Sequence, residues 1–161
     1  MATNLWTSSS AGCVVVDSNV FIAICANEPS AATAKAAIAN YSNRNWAFFA
    51  PGVMFSEVLF ALCRKLQEGD LDAAKHQEAV EDFKDYITSF LAPPSGDAAL
   101  VARAEEIRAR YSCLHSADSF YLALAEELTL SGPAEYLTFD KRVVNVAAKN
   151  APTVKVKLLP S

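Results

Sequence analysis

The chain has 161 residues, of which 52% are hydrophobic and 20% are charged, and its net charge is −4. This length predicts one domain with a sizeable core, and the composition excludes a disordered or low-complexity protein. The charge excludes a protein that holds nucleic acid by bulk positive potential, so that a nucleic-acid partner would need a local binding device.

Short apolar runs alternate with amphipathic segments along the chain. Predicted strands cover 14–16, 46–50, 87–92, 135–139 and 153–159. Predicted helices cover 18–27, 30–41, 53–68, 71–86, 97–111, 117–128 and 141–150, with Asp97 and Ser116 as N-caps of the fifth and sixth. Alternation of this kind favours parallel pairing with right-handed crossovers. We therefore expect a three-layer α/β/α sandwich around a central parallel sheet of about five strands.

Residues 1–12 form a polar N-terminal arm, and 13–161 form the single predicted domain. The arm lacks the basic start and apolar stretch of a secretory signal, and no apolar run approaches the roughly 18 to 20 residues of a membrane span. We expect a cytoplasmic protein without a membrane partner. The four cysteines have no zinc-site spacing, and we expect reduced, buried thiols: Cys13, Cys25, Cys63 and Cys113.

Four acidic residues are predicted at one edge of the sheet. Asp17 follows the first strand and Asp140 the fourth, while Glu57 and Asp118 lie in the first turns of two helices. Ligands of open parallel sheets bind outside the carboxyl ends of the strands, where all four side chains are expected to converge. Each residue alone is also compatible with a helix cap or a solvated helix position.

The segments around these residues resemble the motifs of a known family. They are VVDSNV at 15–20, FSEV at 55–58, ADSFYLALA at 117–125 and LTFD at 137–140. In order and spacing they are similar to PIN-domain ribonucleases, and above all to the VapC-like toxins of bacterial toxin-antitoxin pairs. The resemblance runs from about Cys13 to Leu159, and the polar arm is longer than is usual for such toxins.

The resemblance implies a nuclease that hydrolyses RNA phosphodiester bonds with one or two Mg²⁺ or Mn²⁺ ions. It places Asp17, Glu57, Asp118 and Asp140 in the family's acidic quartet. It also matches two polar positions beside the quartet, Asn19 and Thr138. The implied partners are single-stranded or looped RNA, a cognate antitoxin protein that covers the acidic edge, and a second copy of the chain.

The chemistry of such a quartet calls for a cation, because crowded carboxylates repel one another. Mg²⁺ prefers oxygen ligands, retains several waters and can activate one of them. We assign Asp17 as the central ligand, with Asp118 and Glu57 sharing the first metal directly or through water. Asp140 would complete a weaker second site or orient the attacking water. Asn19 and Thr138 would hold the ligands by hydrogen bonds.

Basic residues next to the quartet are candidates for contact with substrate. Without the four acidic side chains the net charge moves from −4 to 0, so a metal-loaded site need not repel a phosphate backbone. Lys141 and Arg142 directly follow Asp140 and are candidate phosphate contacts, although solvated surface residues are the alternative. His115 could suggest a general base, but we expect a structural role because metal-bound water needs none.

Four other readings stay open. A phosphatase of the haloacid-dehalogenase type would need Asp-x-Asp, where this chain has Asn19. A receiver domain would need an acidic pair and a lysine near the last strand. A PIN-like chain could also be a catalytically silent module that binds RNA or protein, or a nuclease of RNA processing that is not a toxin.

Overall fold

The computed structural model of the chain describes residues 10–109 and 116–161. In these ranges the strands are β1 (Gly12–Val16), β2 (Trp46–Phe49), β3 (Phe90–Leu91), β4 (Ala134–Thr138) and β5 (Lys155–Leu158). The helices are α1 (Ser18–Cys25), α2 (Ala31–Asn43), α3 (Val53–Glu68), α4 (Ala73–Ile87), α5 (Asp97–Arg108), α6 (Ser116–Thr129) and α7 (Lys141–Asn150). None of the helices in this part of the chain has the length and apolar character needed to cross a membrane. The predicted arm lies outside the described residues up to position 9.

The sheet is fully parallel and has the strand order β3-β2-β1-β4-β5. β1 lies at its centre, where a run of three buried valines suits a strand covered on both faces. The chain leaves β1 in one direction through β2 and β3, and returns across it to β4 and β5. Right-handed crossovers therefore place α1 to α4 on one face and α5 to α7 on the other. The predicted three-layer sandwich is confirmed.

Helix α1 is held against the sheet by an aromatic cluster. The Phe21 ring lies 5.9 Å from Phe83, 5.7 Å from Tyr86 and 5.1 Å from Phe90, measured between centroids. Phe21 is fully buried. These contacts join α1, α4 and β3, and so fix the direction in which the chain leaves the carboxyl end of β1.

The third strand is much shorter than predicted. Helix α4 runs to Ile87, and only Phe90 and Leu91 pair with β2. The Thr88 and Ser89 hydroxyls donate to carbonyl oxygens three residues back, at 2.7 and 2.9 Å. These bonds prolong the last helical turn, so the segment 87–89 cannot be extended.

Asp97 does not cap α5, contrary to the prediction. The N-cap position is Gly96, and Asp97 is the first helical residue. Its carboxylate accepts a hydrogen bond at 2.7 Å from the Gly52 amide, just before α3. Asp97 therefore ties the start of α5 to the start of α3. The predicted end of this helix near Tyr111 lies outside the described residues.

The cysteine prediction is partly wrong. Cys13 and Cys25 are free and buried, and burial raises the pKa of the Cys13 thiol to about 11. Cys63 is free but exposed. It follows Leu62, which belongs to the buried face of α3, and therefore points away from the core. Cys113 lies outside the described residues.

Candidate active site

Asp17 occupies the junction between β1 and α1. Its amide donates to the Leu137 carbonyl at 3.0 Å, which extends the pairing of β1 with β4 by one residue. Its side chain is the N-cap of α1, and the residue is only 4% exposed. The carboxylate is therefore fixed by backbone on both sides at the carboxyl edge of the sheet.

The two oxygens of Asp17 have different surroundings. Oδ2 accepts hydrogen bonds from the Thr138 hydroxyl at 2.6 Å, the Tyr136 hydroxyl at 2.9 Å and the Asn19 amide group at 3.0 Å. Oδ1 has only long contacts, from the Ser18 hydroxyl at 3.3 Å and the Asn19 backbone at 3.5 Å. Burial raises the pKa of Asp17, and these donors oppose the rise.

Asn19 and Thr138 lie where the sequence places them, against Asp17. The Asn19 side chain donates to Thr138 Oγ1 at 3.1 Å and accepts from the Phe139 amide at 3.2 Å. Thr138 Oγ1 also accepts from the Asp140 amide at 2.9 Å. This network joins the start of α1 to the end of β4, which are 119 residues apart in the sequence at Asn19 and Thr138.

Glu57 reaches the same edge from the second turn of α3. Its Oε2 accepts a hydrogen bond at 2.6 Å from the hydroxyl of Tyr121, which lies on α6. Its pKa is raised, first by burial and also by the charge of Asp17. Glu57 and Asp17 are therefore close enough to repel each other.

The pKa of Asp118 is affected by all three other carboxylates. Burial raises its pKa most, and the charges of Asp17, Asp140 and Glu57 raise it further, to about 7, while Arg142 acts in the opposite direction. An acid with such a pKa beside three others is typical of a functional site, where charges are held together against their repulsion. The structure thus brings the four predicted acidic residues into electrostatic contact.

Asp140 has two roles at the start of α7. Its Oδ1 caps the helix by accepting from the Arg142 amide at 2.8 Å. The Arg142 guanidinium also binds both carboxylate oxygens, with Nε at 3.0 Å from each and Nη2 at 2.6 Å from Oδ2. Arg142, a predicted phosphate contact, therefore lies on a member of the quartet, while its neighbour Lys141 is exposed.

Metal binding fits this site by its chemistry. The donor set is all oxygen, and the carboxylates raise one another's pKa values, which a hard divalent cation would reverse. Within 10–109 and 116–161, no three His, Cys, Asp or Glu side chains are grouped closely enough to hold an ion as they stand. Binding would thus need waters between some carboxylates and the ion, as Mg²⁺ favours, or small side-chain shifts. His115 lies outside the described residues.

Two tyrosines contact the quartet and were not predicted. Tyr121 donates to Glu57 and Tyr136 donates to Asp17. A pattern in the sequence could have indicated both. Tyr121 follows Asp118 by three residues, which places the two on one helix face, and Tyr136 precedes Thr138 by two, which places them on one side of β4.

A second polar cluster lies at the amino end of the sheet. Glu135 on β4 is buried and accepts hydrogen bonds from the Tyr41 hydroxyl and the Lys155 ammonium group. Arg44 stacks 4.5 Å above the Trp46 ring beside it, and the cluster lines a cavity of about 610 Å³. Burial alone would raise the pKa of Glu135, but the bonds from Lys155 and Tyr41 outweigh it, and the pKa is lowered.

Comparison with known proteins agrees with this geometry. The family profile described as the PIN domain matches residues 14–149, which include the whole quartet. Among solved structures, one chain of VapBC2 from Rickettsia felis, crystallised with a DNA fragment from its promoter, has the same fold. The TM-score is 0.64 with 9% identity, over 92% of this chain and 99% of that one. No curated protein matches the sequence.

The profile match spans most of the chain and includes each of the four acidic segments from which the resemblance was inferred. The similarity to the VapBC2 chain is one of fold, since so low an identity carries no residue-level argument. Both agree with the five-stranded parallel sheet and with the predicted resemblance, which is confirmed. The chain belongs to the PIN domain family, whose members are generally nucleases.

Proposed function

We propose that the chain is a Mg²⁺- or Mn²⁺-dependent endoribonuclease that hydrolyses RNA phosphodiester bonds in the cytoplasm. The observation that carries the proposal is the state of Asp118, whose pKa is raised to about 7 by burial and by three neighbouring carboxylates. That arrangement is unfavourable without a cation. It lies outside the carboxyl ends of β1 and β4, at the point where the strand order reverses and such sheets bind ligands.

The residues that would hold the metal are Asp17, Glu57, Asp118 and Asp140. When bound, a divalent cation lowers the pKa of a coordinated water and stabilises charge on the leaving oxygen. Asp17 is the fixed member, because its backbone belongs to the β1–β4 ladder and its carboxylate caps α1. Glu57 and Asp118 would share the first ion with it, and Asp140 would complete a second position or orient the attacking water.

The charged residues of α7 would meet the substrate. Lys141 is exposed, and the Arg142 side chain is 64% exposed although its guanidinium lies on Asp140. Both stand at the rim of the acidic site, where they can contact a phosphate group. If Asp140 were engaged by a cation, the attraction that holds Arg142 there would weaken, and the guanidinium would be available to RNA.

The biological role we propose is that of the toxin in a toxin-antitoxin pair. It is supported by the shared fold with a VapBC2 chain, and VapBC2 is a complex of two components. We infer an antitoxin partner that covers the acidic edge and offers a cation to the carboxylates. A second copy of the chain is the expected partner in a homodimer.

A catalytically silent module that binds RNA or protein is the second candidate. One observation favours it: in the described part of the chain, no three potential ligand side chains are grouped as a metal site. In that case the acidic edge would bind a basic segment of a partner and would never take up a metal ion.

Cleavage assays separate the two candidates. The purified chain is incubated with single-stranded and hairpin RNAs in Mg²⁺, Mn²⁺ or EDTA, alongside Asp17→Asn. We expect endonucleolytic products that require the metal and are lost in the variant, since asparagine keeps the helix cap and removes the charge. Intact RNA at every metal concentration would support the silent module instead.

The toxin role has its own test. Expression of the active chain alone should arrest growth, whereas Asp17→Asn should be tolerated. Co-expression of the neighbouring gene should restore growth and yield a co-purifying small protein. Normal growth of cells that express a demonstrably active nuclease would reject the toxin role and leave the nuclease proposal intact.

A further inference from the structure

Two buried tyrosines lie directly behind the acidic site. Tyr121 on α6 and Tyr136 on β4 are both fully buried. Their rings are stacked, with centroids 5.7 Å apart and planes inclined by 10°. Each ring carries its hydroxyl to a carboxylate of the quartet, Tyr121 to Glu57 at 2.6 Å and Tyr136 to Asp17 at 2.9 Å.

The two hydroxyls act as donors to these carboxylates. A buried phenol needs a hydrogen-bond partner, and here the partners on the other side are carboxylates, which accept when ionised. Each phenol proton therefore points at one defined carboxylate oxygen, Glu57 Oε2 for Tyr121 and Asp17 Oδ2 for Tyr136.

The bonds divide the oxygens of each carboxylate into two kinds. Tyr136 shares Asp17 Oδ2 with two other donors, whereas Oδ1 keeps only contacts of 3.3 Å or longer. Tyr121 engages Glu57 Oε2. An oxygen that already accepts short hydrogen bonds has less capacity for a cation, so the opposite oxygen of each carboxylate is the better ligand.

We infer that Tyr121 and Tyr136 are positioning residues that hold Glu57 and Asp17 so that Oε1 and Oδ1 face the metal. This inference rests on the proposed function. Stacking strengthens the effect, because the two rings pack as one unit between α6 and β4. The Glu57 carboxylate has a second donor in the Ser18 hydroxyl, so Tyr121 is one of two groups that fix its orientation.

Removal of each hydroxyl tests the role without disturbing the core. Tyr121→Phe and Tyr136→Phe keep the ring and its packing. The matched control is Tyr41→Phe, which also removes a hydroxyl from a buried tyrosine that bonds a buried carboxylate, Glu135, at the other end of the sheet. The wild type and the three variants are titrated with Mn²⁺ by calorimetry in the absence of RNA, and each metal-free protein is unfolded with urea.

We expect Tyr121→Phe and Tyr136→Phe each to raise the Mn²⁺ Kd by about tenfold or more, the effect usual for partners that orient metal ligands. Tyr41→Phe should lower stability, as the loss of any buried hydrogen bond does, but should leave the Kd within about twofold of wild type. Cleavage by the two site variants should fall at limiting Mn²⁺ and recover at saturating Mn²⁺, which a misfolded protein would not do.

The outcomes separate the inference from the function on which it rests. If wild type binds Mn²⁺ and both site variants bind it equally well, the positioning role is overturned and the proposed function stands. If all three Phe variants weaken binding alike, the effect comes from general stability, and the inference again fails. If wild type binds no Mn²⁺ and cuts no RNA, the proposed function itself is wrong and the inference falls with it.

Discussion

Buried carboxylates at the two ends of the sheet have pKa values shifted in opposite directions. At the amino end, Glu135 accepts bonds from Tyr41 and Lys155, and its pKa is lowered. At the carboxyl end, Asp17, Glu57 and Asp118 have raised pKa values, because burial exceeds the stabilisation from neighbouring donors, and in Glu57 and Asp118 the charges of other carboxylates add to the rise. Strand β4 connects the two ends, with Glu135 near its start and Asp140 just beyond its finish.

The contrast separates a charge that the fold itself compensates from the charges that we propose serve chemistry. An acid needed only for structure carries its own cation, as Glu135 does in Lys155. An acidic cluster kept without enough internal cations is destabilising, and such clusters are typical of sites that take a cation from outside. Arg142 forms an ion pair with Asp140 and lowers the pKa of Asp118, which nevertheless stays raised to about 7.

The largest difference between the ends should appear in catalysis. We expect Glu57→Gln to slow RNA cleavage by roughly 100- to 1,000-fold, because it removes a charge from the metal site. Glu135→Gln removes the same charge from the amino end and should leave the rate within about twofold. Initial rates at saturating Mg²⁺ measure both. Equal losses in the two variants would show that the effect comes from the fold and not from the site.

Metal should stabilise the protein through one end only. At a Mn²⁺ concentration of about 100 times Kd, the free energy of unfolding should rise by about 2.7 kcal/mol in wild type. Glu135→Gln should gain the same amount, and Asp17→Asn should gain nothing. Urea unfolding with Mn²⁺ and with EDTA provides the values. A full gain in Asp17→Asn would place the ion elsewhere.

The burial of the acids at the carboxyl end, together with their repulsion, should also appear in the pH dependence of metal-free stability. Asp118 has a folded pKa of about 7 against an ordinary value of 3.8, so the folded protein binds this proton more tightly than the unfolded chain. The destabilisation of the fold by ionised Asp118 is absent well below pH 4, grows between pH 4 and pH 7 and is complete above about pH 7. After allowance for partial exposure, Asp118→Asn should stabilise the protein by about 2 kcal/mol at pH 8.

The gain from Asp118→Asn should shrink towards zero at pH 4, where aspartate at this position is already protonated in the folded state. Urea unfolding in EDTA across this range tests the sign. A gain that does not change with pH would mean that the substitution acts through packing or hydrogen bonding, and that Asp118 is not under electrostatic strain.

The smallest effect should come from the amino-end cation. Lys155→Met removes the ion pair with Glu135, but the Lys155 side chain is 74% exposed, so the loss should stay under about 1 kcal/mol at pH 7. Since the pKa of Glu135 is lowered, the ion pair stabilises the protein at pH values above the ordinary pKa of glutamate. This stabilisation is lost as the pH falls through the pKa of Glu135 in the folded protein. Lys157→Met, two residues along the same strand, is the control and should change stability less.

Much of the fold could be predicted because its signals are local. A run of apolar β-branched residues marks β1, and the repeat of apolar residues in α3 marks an amphipathic helix. Parallel pairing then places Asp17 and Asp140 at one edge without further information. The short β3 strand was not predictable in this way, because hydroxyl bonds from Thr88 and Ser89 decide where α4 ends.

The parts of the site that the sequence did not reveal depend on contacts between distant elements. Tyr121 and Glu57 are 64 residues apart on helices that lie on opposite faces of the sheet, and only the complete fold brings their side chains together. The Glu135–Lys155 pair follows from the register of β4 and β5, in which these two residues are direct partners. That register is a property of the folded sheet and has no signature in either strand alone.

Asp17 and Asp140 each end a strand, begin a helix and belong to the acidic site. Glu57 lies inside α3, beyond its N-cap at Gly52. A descendant that loses its enzymatic activity would therefore still be selected to keep Asp or Asn at 17 and 140, while position 57 drifts first. A chain of this family that keeps only the two strand-end acids should accordingly be interpreted as a protein that has lost its activity and kept its fold.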